Sequence, residues 1–233
     1  MTERAPPTVR VIPGVVASRD AATRMVIPSS AQGVWAPFER VGEIVATLGR
    51  RFPPHSHEAE EVLTYMVEGL ASYELPPGPP TALEPGAVGL LVSSAKVVHT
   101  LKPSRGTTIR WFSLVADLPA GAAVPTRAQF DRPATSAPQA DGSVTRRLVG
   151  PAASVTSAMG LEVEEVGFVT AGTSFRRIGH ERRGVVYALS GRGDVDGQAI
   201  EIGEAALVEN VSGIALRGST GFRSLVATVP KPT

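Results

Sequence analysis

Apolar positions along the chain come in short runs rich in Val, Ile, Leu and Thr, and each run ends at Gly, Pro or both. Residues 42–52, 62–69, 87–94, 108–118, 161–170, 185–191, 204–211 and 222–229 all have this form. Enrichment in β-branched residues over a few positions, with turn residues at both ends, predicts a strand. Helical periodicity is weak throughout; a short helix is expected only near 126–130. The proline-rich stretch 74–86 reads as a hairpin loop. The Pro-, Ala-, Ser- and Gly-rich stretch 117–154 reads as a connector between two β units. Many short strands separated by turn signals predict an all-β sandwich or barrel.

The pattern also repeats. FPPHSH (52–57) matches FRRIGH (175–180), with Phe and His at the same spacing. YMVEG (65–69) then lies over YALSG (187–191), and EPGAVGLL (84–91) over EIGEAALV (201–208). Each half reads as a His-bearing strand, a Tyr-x-x-x-Gly turn, a hairpin, a Glu-x-Gly turn and an apolar strand. This alignment puts Ile178 where the first copy has His55, Arg183 near Glu61, and an apolar residue, about Leu216, near His99. A duplication whose ligand positions survive in one copy accounts for the pattern. The expected domains are 1–125 and 126–233.

Composition narrows the function classes. A chain of 233 residues with 42% hydrophobic content can bury a sizeable core, and at 5% aromatics that core is mostly aliphatic. Net charge is +1 and the basic residues are scattered, so neither a nucleic-acid footprint nor a polybasic membrane patch is expected. The pairs Arg146-Arg147, Arg176-Arg177 and Arg182-Arg183 read as solvated strand ends. With no cysteine there is no disulfide framework, thiolate metal site or cysteine nucleophile. MTERAPPTVR lacks the apolar core of a signal peptide, and no apolar run approaches the ~18 residues of a membrane span, so a cytoplasmic location is expected.

Histidine carries the chemistry. The chain has four, and His55 and His57 lie one residue apart. Side chains alternate on a strand, so those two share a face, and strict alternation adds Ala59 and Glu61 to that face and sends Glu58 and Glu60 to the other. His99 follows the strand that opens at Pro85-Gly86. Three imidazoles on two strands of one barrel can converge on one metal ion and leave positions open for water, substrate or dioxygen. Glu61 has several readings: a fourth ligand, a general base beside the metal, an acceptor that fixes an imidazole N–H, or a salt-bridged structural residue. His180 has no apparent partners.

HSHEAEEVLTYMVEG (55–69), with its Thr-Tyr-x-x-Glu-Gly ending, resembles the first-cupin motif of the pirin family, two-domain members of the cupin superfamily. Val97-Val98-His99 and WFSLVADLP (111–119) resemble the family's second motif and closing strand, with Asp117 at an Asn position. WAPF (35–38) resembles an Asp-Pro-Phe element, with Ala36 in place of Asp. The resemblance implies two tandem jelly-roll-type barrels, the second without metal ligands, and an N-terminal segment around 9–16 that crosses to the second barrel. It implies one divalent metal ion, Fe(II) first and Ni, Mn, Cu or Zn as alternatives. Pirins hold it with three histidines and a glutamate. The histidines map to His55, His57 and His99, but the glutamate position is Leu101, and SSAKVV (93–98) replaces a Gly-rich segment. The site is then either three-histidine or recruits Glu61.

The activity this implies is a quercetinase-like dioxygenase acting on a small chelating, flavonol- or enediol-like substrate, with Glu61 as base. Val62, Met66, Val97, Leu101 and Trp111 are candidates to line a dry pocket. The rivals are a non-oxidative metal-dependent isomerase, cyclase or lyase, and a metal-responsive regulatory binding protein. Expected partners are the small-molecule substrate and dioxygen, with neither nucleic acid nor membrane. A homodimer is open, since cupins often pair through exposed sheets.

Overall fold

The apolar runs each overlap an antiparallel strand in a computed structural model of the chain, which describes residues 6–18, 22–28, 32–33, 35–46, 53–104 and 107–232. These residues hold 21 strands and no helix. Part of the expected strand 42–52, from residue 47 on, lies outside them, as does Phe52 of the repeat. No helix is long and apolar enough to cross a membrane.

There are two compact units. One comprises residues 15–133 and 154–159; the other comprises 6–14, 134–153 and 160–232. The chain begins with β1 (Thr8–Ile12), which belongs to the latter. The first barrel follows with β2 (Val15–Ser18), β3 (Ala22–Ile27), β4 (Phe38–Ala46), β5 (His55–His57), β6 (Glu60–Glu68) and β7 (Ala71–Glu74). It is completed by β8 (Thr81–Leu83), β9 (Val88–Ser93), β10 (Val97–Pro103), β11 (Ile109–Asp117) and β12 (Arg127–Asp131). The second barrel has β13 (Ser143–Val149), β14 (Glu162–Phe168), β15 (Gly172–Arg177), β16 (Arg182–Ser190) and β17 (Arg192–Val195). Its last strands are β18 (Gln198–Glu201), β19 (Ala205–Glu209), β20 (Gly213–Gly218) and β21 (Arg223–Pro230).

The two units share one strand order. The first has a seven-stranded sheet, β12-β9-β6-β11-β4-β3-β2, and a four-stranded sheet, β5-β10-β7-β8. The second has a six-stranded sheet, β1-β19-β16-β21-β14-β13, and a four-stranded sheet, β15-β20-β17-β18. Replacing β9, β6, β11 and β4 by β19, β16, β21 and β14 converts one large sheet into the other. Inner strands such as β6 and β9 are buried along both faces and read as unbroken apolar runs. The repeated Tyr-x-x-x-Gly turn has a steric cause. Gly69 and Gly191 adopt φ of +79° and +73°. A Cβ on Gly69 would collide with the Thr108 carbonyl oxygen, and one on Gly191 would lie 2.9 Å from Phe222 Cα.

The edges of the units depart from a single cut near residue 125. β1 pairs with β19, Thr8 opposite Glu209 through Ile12 opposite Ala205, so that part of the N-terminal segment joins the second barrel, whereas Val15 and Val16 pair with β3 in the first. β12 pairs with β9 in the first. The helix expected near 126–130 is therefore this strand. Phe130 lies opposite Gly89, whose missing Cβ makes room for the ring, and packs 5.0 Å from the Tyr73 ring. Non-local pairing of this kind overrides local propensity. Likewise β8 forms within the stretch read as a hairpin loop, and β12 and β13 within the stretch read as a connector.

Candidate metal centre

Pro53 and Pro54 cannot donate to a ladder, so pairing begins at His55. β5 lies antiparallel to β10, with His55 directly opposite His99 and His57 opposite Val97. The three rings meet: centroids are 4.4 Å apart for His55–His99, 4.8 Å for His55–His57 and 5.0 Å for His57–His99. One nitrogen from each lies within 4.8 Å of the others.

The ring nitrogens show what the cluster is suited to hold. His55 Nδ1–H donates to the Pro53 carbonyl at 3.1 Å. His57 Nδ1–H donates to Glu60 Oε2, leaving Nε2 buried without a hydrogen-bond partner. His99 is 4% exposed and neither of its ring nitrogens has a hydrogen-bond partner. Buried polar atoms are nearly always paired, because leaving one unpaired costs about 1–3 kcal/mol. Three orphaned nitrogens on two converging rings are a good fit to a divalent cation. Burial, with the neighbouring His55 and His57, pushes the His99 pKa down to about 3. Burial likewise holds His55 below its ordinary value, although its bond to Pro53 opposes the shift. Neutral imidazole is the form that ligates.

Glu60 is a further contributor. Burial alone would raise its pKa, but hydrogen bonds from His57 and Glu39 outweigh burial and hold it below the usual carboxylate range. Glu39 is raised, first by its bond to Glu60 and then by burial. The shared hydrogen bond thus favours the ionised form of Glu60, which faces His57, over that of Glu39. Arg40 lies 3.8 Å from both carboxylates. A carboxylate on the far nitrogen fixes the tautomer and makes the imidazole a stronger ligand, and losing such a partner typically costs ~10–100-fold in metal affinity. Glu60→Ala should lose affinity in that range by competitive chelation, while Glu60→Gln, which keeps an acceptor oxygen, should lose much less. Equal affinity in wild type and Glu60→Ala would refute this role.

Glu61 does not join the histidines. Ala59 adopts φ of +56°, which breaks the strand between β5 and β6 and with it the alternation that the sequence reading assumed. Glu60 therefore turns back to His57, and Glu61, fully buried, accepts from Ser157 Oγ at 2.7 Å, Met159 N at 3.2 Å and Ala158 N. Burial raises its pKa, against the pull of those bonds. It fastens residues 154–159 to the first unit. Its expected roles as ligand and base give way to the structural one.

The histidines line a cavity of about 340 Å³ in the first unit. Val62, Leu101 and Trp111 line it as expected, with Met25 and Ile44 in addition. Met66 and Val97 are not in the lining; Met66 packs in the core with Ile44 and Leu101, and half-buried Val97 against the cluster of Val62, Leu91 and Val115. Arg40, Thr64 and Ser113 also line it, and among the described residues the lining has no carboxylate. Thr64 and Ser113 were readable as the alternate positions after Val62 and Trp111; Arg40 had no comparable signal. Leu101, at the family's glutamate position, is 3% exposed and packs with Ile44, Tyr73 and Trp111.

The second barrel holds no such cluster among the described residues. Strand register corrects the alignment of the repeat. Counting from Gly191 as from Gly69, Val195 takes the place of Tyr73, and Leu216, opposite Val195, that of Leu101. Ile214 then replaces His99, Arg176 replaces His55, and Ile178 replaces His57. Ile178 and Ile214 belong to an apolar core with Phe168, Leu216 and Phe222. His180 stands apart, with Nδ1–H donating to the Asn210 carbonyl at 3.0 Å.

No family model matches the chain. A pirin-like protein of Caulobacter vibrioides is 26% identical over 151 residues, which span 60% of this chain and 55% of that protein, so the match covers about half of the relative's length. The structure superposes with a TM-score of 0.82 on a bacterial pirin from Escherichia coli solved with nickel(II), covering 97% of this chain and 100% of that one at 14% identity. The chain has the fold of these two-barrel pirins. A quercetin 2,3-dioxygenase from Acinetobacter baumannii has a TM-score of 0.80 to this chain at 17% identity, over 96% and 79% of the two chains. The fold is thus shared with these proteins, and the cluster of His55, His57 and His99 lies in its first barrel.

Proposed function

We propose that this bicupin holds one divalent metal ion on His55, His57 and His99 and is a dioxygenase for a small, metal-chelating, enediol-like substrate. The observation that carries this is the convergence of three imidazoles, those of His57 and His99 buried with orphaned nitrogens, on a cavity whose described lining contains no carboxylate. A metal ion there would supply Lewis acidity toward a chelating hydroxyl/carbonyl pair. The residues do the rest. Glu60 holds the His57 ring. Leu101, Val62 and Trp111 exclude water, and Arg40 adds positive charge at the cavity wall. No carboxylate is in the described lining and Glu60 acts through His57, so a deprotonated chelating oxygen on the occupant would supply negative charge at the ion itself. Fe(II) and Ni(II) are the ions to load first; the Escherichia coli pirin was solved with nickel(II).

One observation favours a second reading. Leu101 leaves the ligand set without an anion, so the ion keeps its full charge and is a stronger Lewis acid and a poorer reductant. Isomerase, cyclase or lyase chemistry without dioxygen would suit that set. Oxygen uptake by the metal-loaded protein with a flavonol decides between them. Stoichiometric uptake with loss of flavonol absorbance supports the oxygenase. Equal turnover under strict anaerobiosis supports the second reading and refutes the first.

A further inference from the structure

The second barrel lacks the histidine cluster but not a cleft, and His180, bonded to the Asn210 carbonyl, is part of its lining. A cavity of about 590 Å³, larger than the one at the histidines, opens within that unit, and its walls come from β13, β14, β15, β21 and the turn before β16. The corresponding strands of the first barrel, β3, β4, β5 and β11, line the histidine cavity. The three arginine pairs that the sequence suggested were solvated strand ends supply four residues to this cleft: Arg147, Arg176, Arg177 and Arg182. Three glutamates also line it, so the lining is one positive charge in excess.

The guanidinium groups are not equally engaged. Arg182 donates to the Gly160 and Thr228 carbonyls at 2.7 and 2.9 Å and lies 3.4 Å from Glu162. Arg176, at the position of His55, donates to Ser174 Oγ at 2.5 Å and lies 3.7 Å from Glu164, with its Nε buried and unpaired. These two are structural. Arg147 and Arg177 have neither ion pair nor hydrogen bond among the described residues, although both line the cleft. Beside Arg177, Phe175 is 67% exposed, an unusual state for a phenyl ring, and Val163, Ile178 and Val226 provide apolar wall.

We propose that this cleft binds a small organic anion, a carboxylate on a flat apolar body, through Arg147 and Arg177, with the body against Phe175. A guanidinium presents paired N–H donors that match a carboxylate, and its face and a phenyl ring both accept a planar ligand. The anion would also compensate the excess positive charge. In this view the degenerate cupin did not merely lose its metal. It kept the cleft and exchanged an imidazole chemistry for a guanidinium one.

The test is calorimetric titration of the full-length protein, after chelator treatment to remove metal, with benzoate and with inorganic phosphate at constant ionic strength. Benzoate should bind with a dissociation constant of ~0.1–1 mM and more tightly than phosphate. Arg147→Gln/Arg177→Gln should weaken benzoate by at least about tenfold, the expected loss of charge-assisted bonds, and Phe175→Ala by about threefold. All three side chains are exposed, so the variants should fold, and unchanged melting temperatures will verify this. In labelled protein, benzoate should shift the amide resonances of Gly179 and Ser212, which border the cleft. Absence of saturable benzoate binding, or undiminished binding by the double arginine variant, overturns the site. Phosphate binding as tightly as benzoate, with no effect of Phe175→Ala, overturns the organic-anion assignment.

Discussion

Replacing His99 by Ala should strip the protein of its metal and leave it folded. His99 is the only one of the three ligand candidates contributed by β10, and without it the remaining pair comes from one short strand. The loss should exceed the ~10–100-fold that follows removal of an outer-sphere partner, so metal content should fall from near one equivalent to a trace. The fold rests on other things. The first barrel is held by apolar residues such as Met66, Ile109 and Trp111, each contributing ~1.5–3 kcal/mol when buried, so it needs no metal to form. Without metal, His99 even carries a penalty, since both its nitrogens are buried and unpaired. The two proteins should therefore differ little in metal-free stability. They should differ in response: metal at 100-fold over its dissociation constant stabilises the wild type by about 2.7 kcal/mol and His99→Ala hardly at all. Elemental analysis with melting curves, with and without metal, checks both claims. Stoichiometric metal in His99→Ala, or none in wild type after anaerobic loading, would sink the metal-centre reading.

The histidine cluster was legible in the sequence because its signal is local and scarce. His55 and His57 share a face by simple alternation, and His99 lies a strand away in a chain with four histidines. The strands were legible for a similar reason, since Gly and Pro mark their ends. What stayed hidden depends on a single backbone angle or on pairing at a distance. Ala59 at φ +56° exchanges the roles of Glu60 and Glu61, and nothing in the alternation foretells it. β12 becomes a strand because β9 offers it an edge and Gly89 a space. Arg147, Arg177 and Arg182 look like separate strand ends because they lie on β13, β15 and β16, which only the folded barrel gathers around one cleft. The repeat was visible in its glycines, because Gly69 and Gly191 anchor the turns, yet its register at the histidines was misplaced, because pairing with β10 and β20 sets that register and the sequence does not display it.

Glu61→Ala should be the most destabilising single change near the site while sparing the metal. The carboxylate is fully buried and serves as acceptor for Ser157 Oγ and the amides of Ala158 and Met159. Removing it takes the acceptor from Ser157 Oγ and Ala158 N, while Met159 N keeps Ser157 Oγ at 3.0 Å. An unsatisfied group costs about 1–3 kcal/mol when buried, but these donors are half-buried or exposed and a buried charge is relieved, so a net loss of about 1–2 kcal/mol is expected. Residues 154–159 would be released from β6, and proteolysis there should accelerate as local opening becomes cheaper. Glu61→Gln should lie between, because its amide keeps an acceptor oxygen but turns an NH2 toward donors. Metal content should remain at the wild-type level in both variants, because the Glu61 oxygens face the 157–159 backbone and not the imidazoles. Denaturant unfolding beside elemental analysis separates the two roles. Lost stability with retained metal places Glu61 in the scaffold. Lost metal with unchanged stability would return it to the metal centre and would mean that residues 154–159 do not claim it in solution.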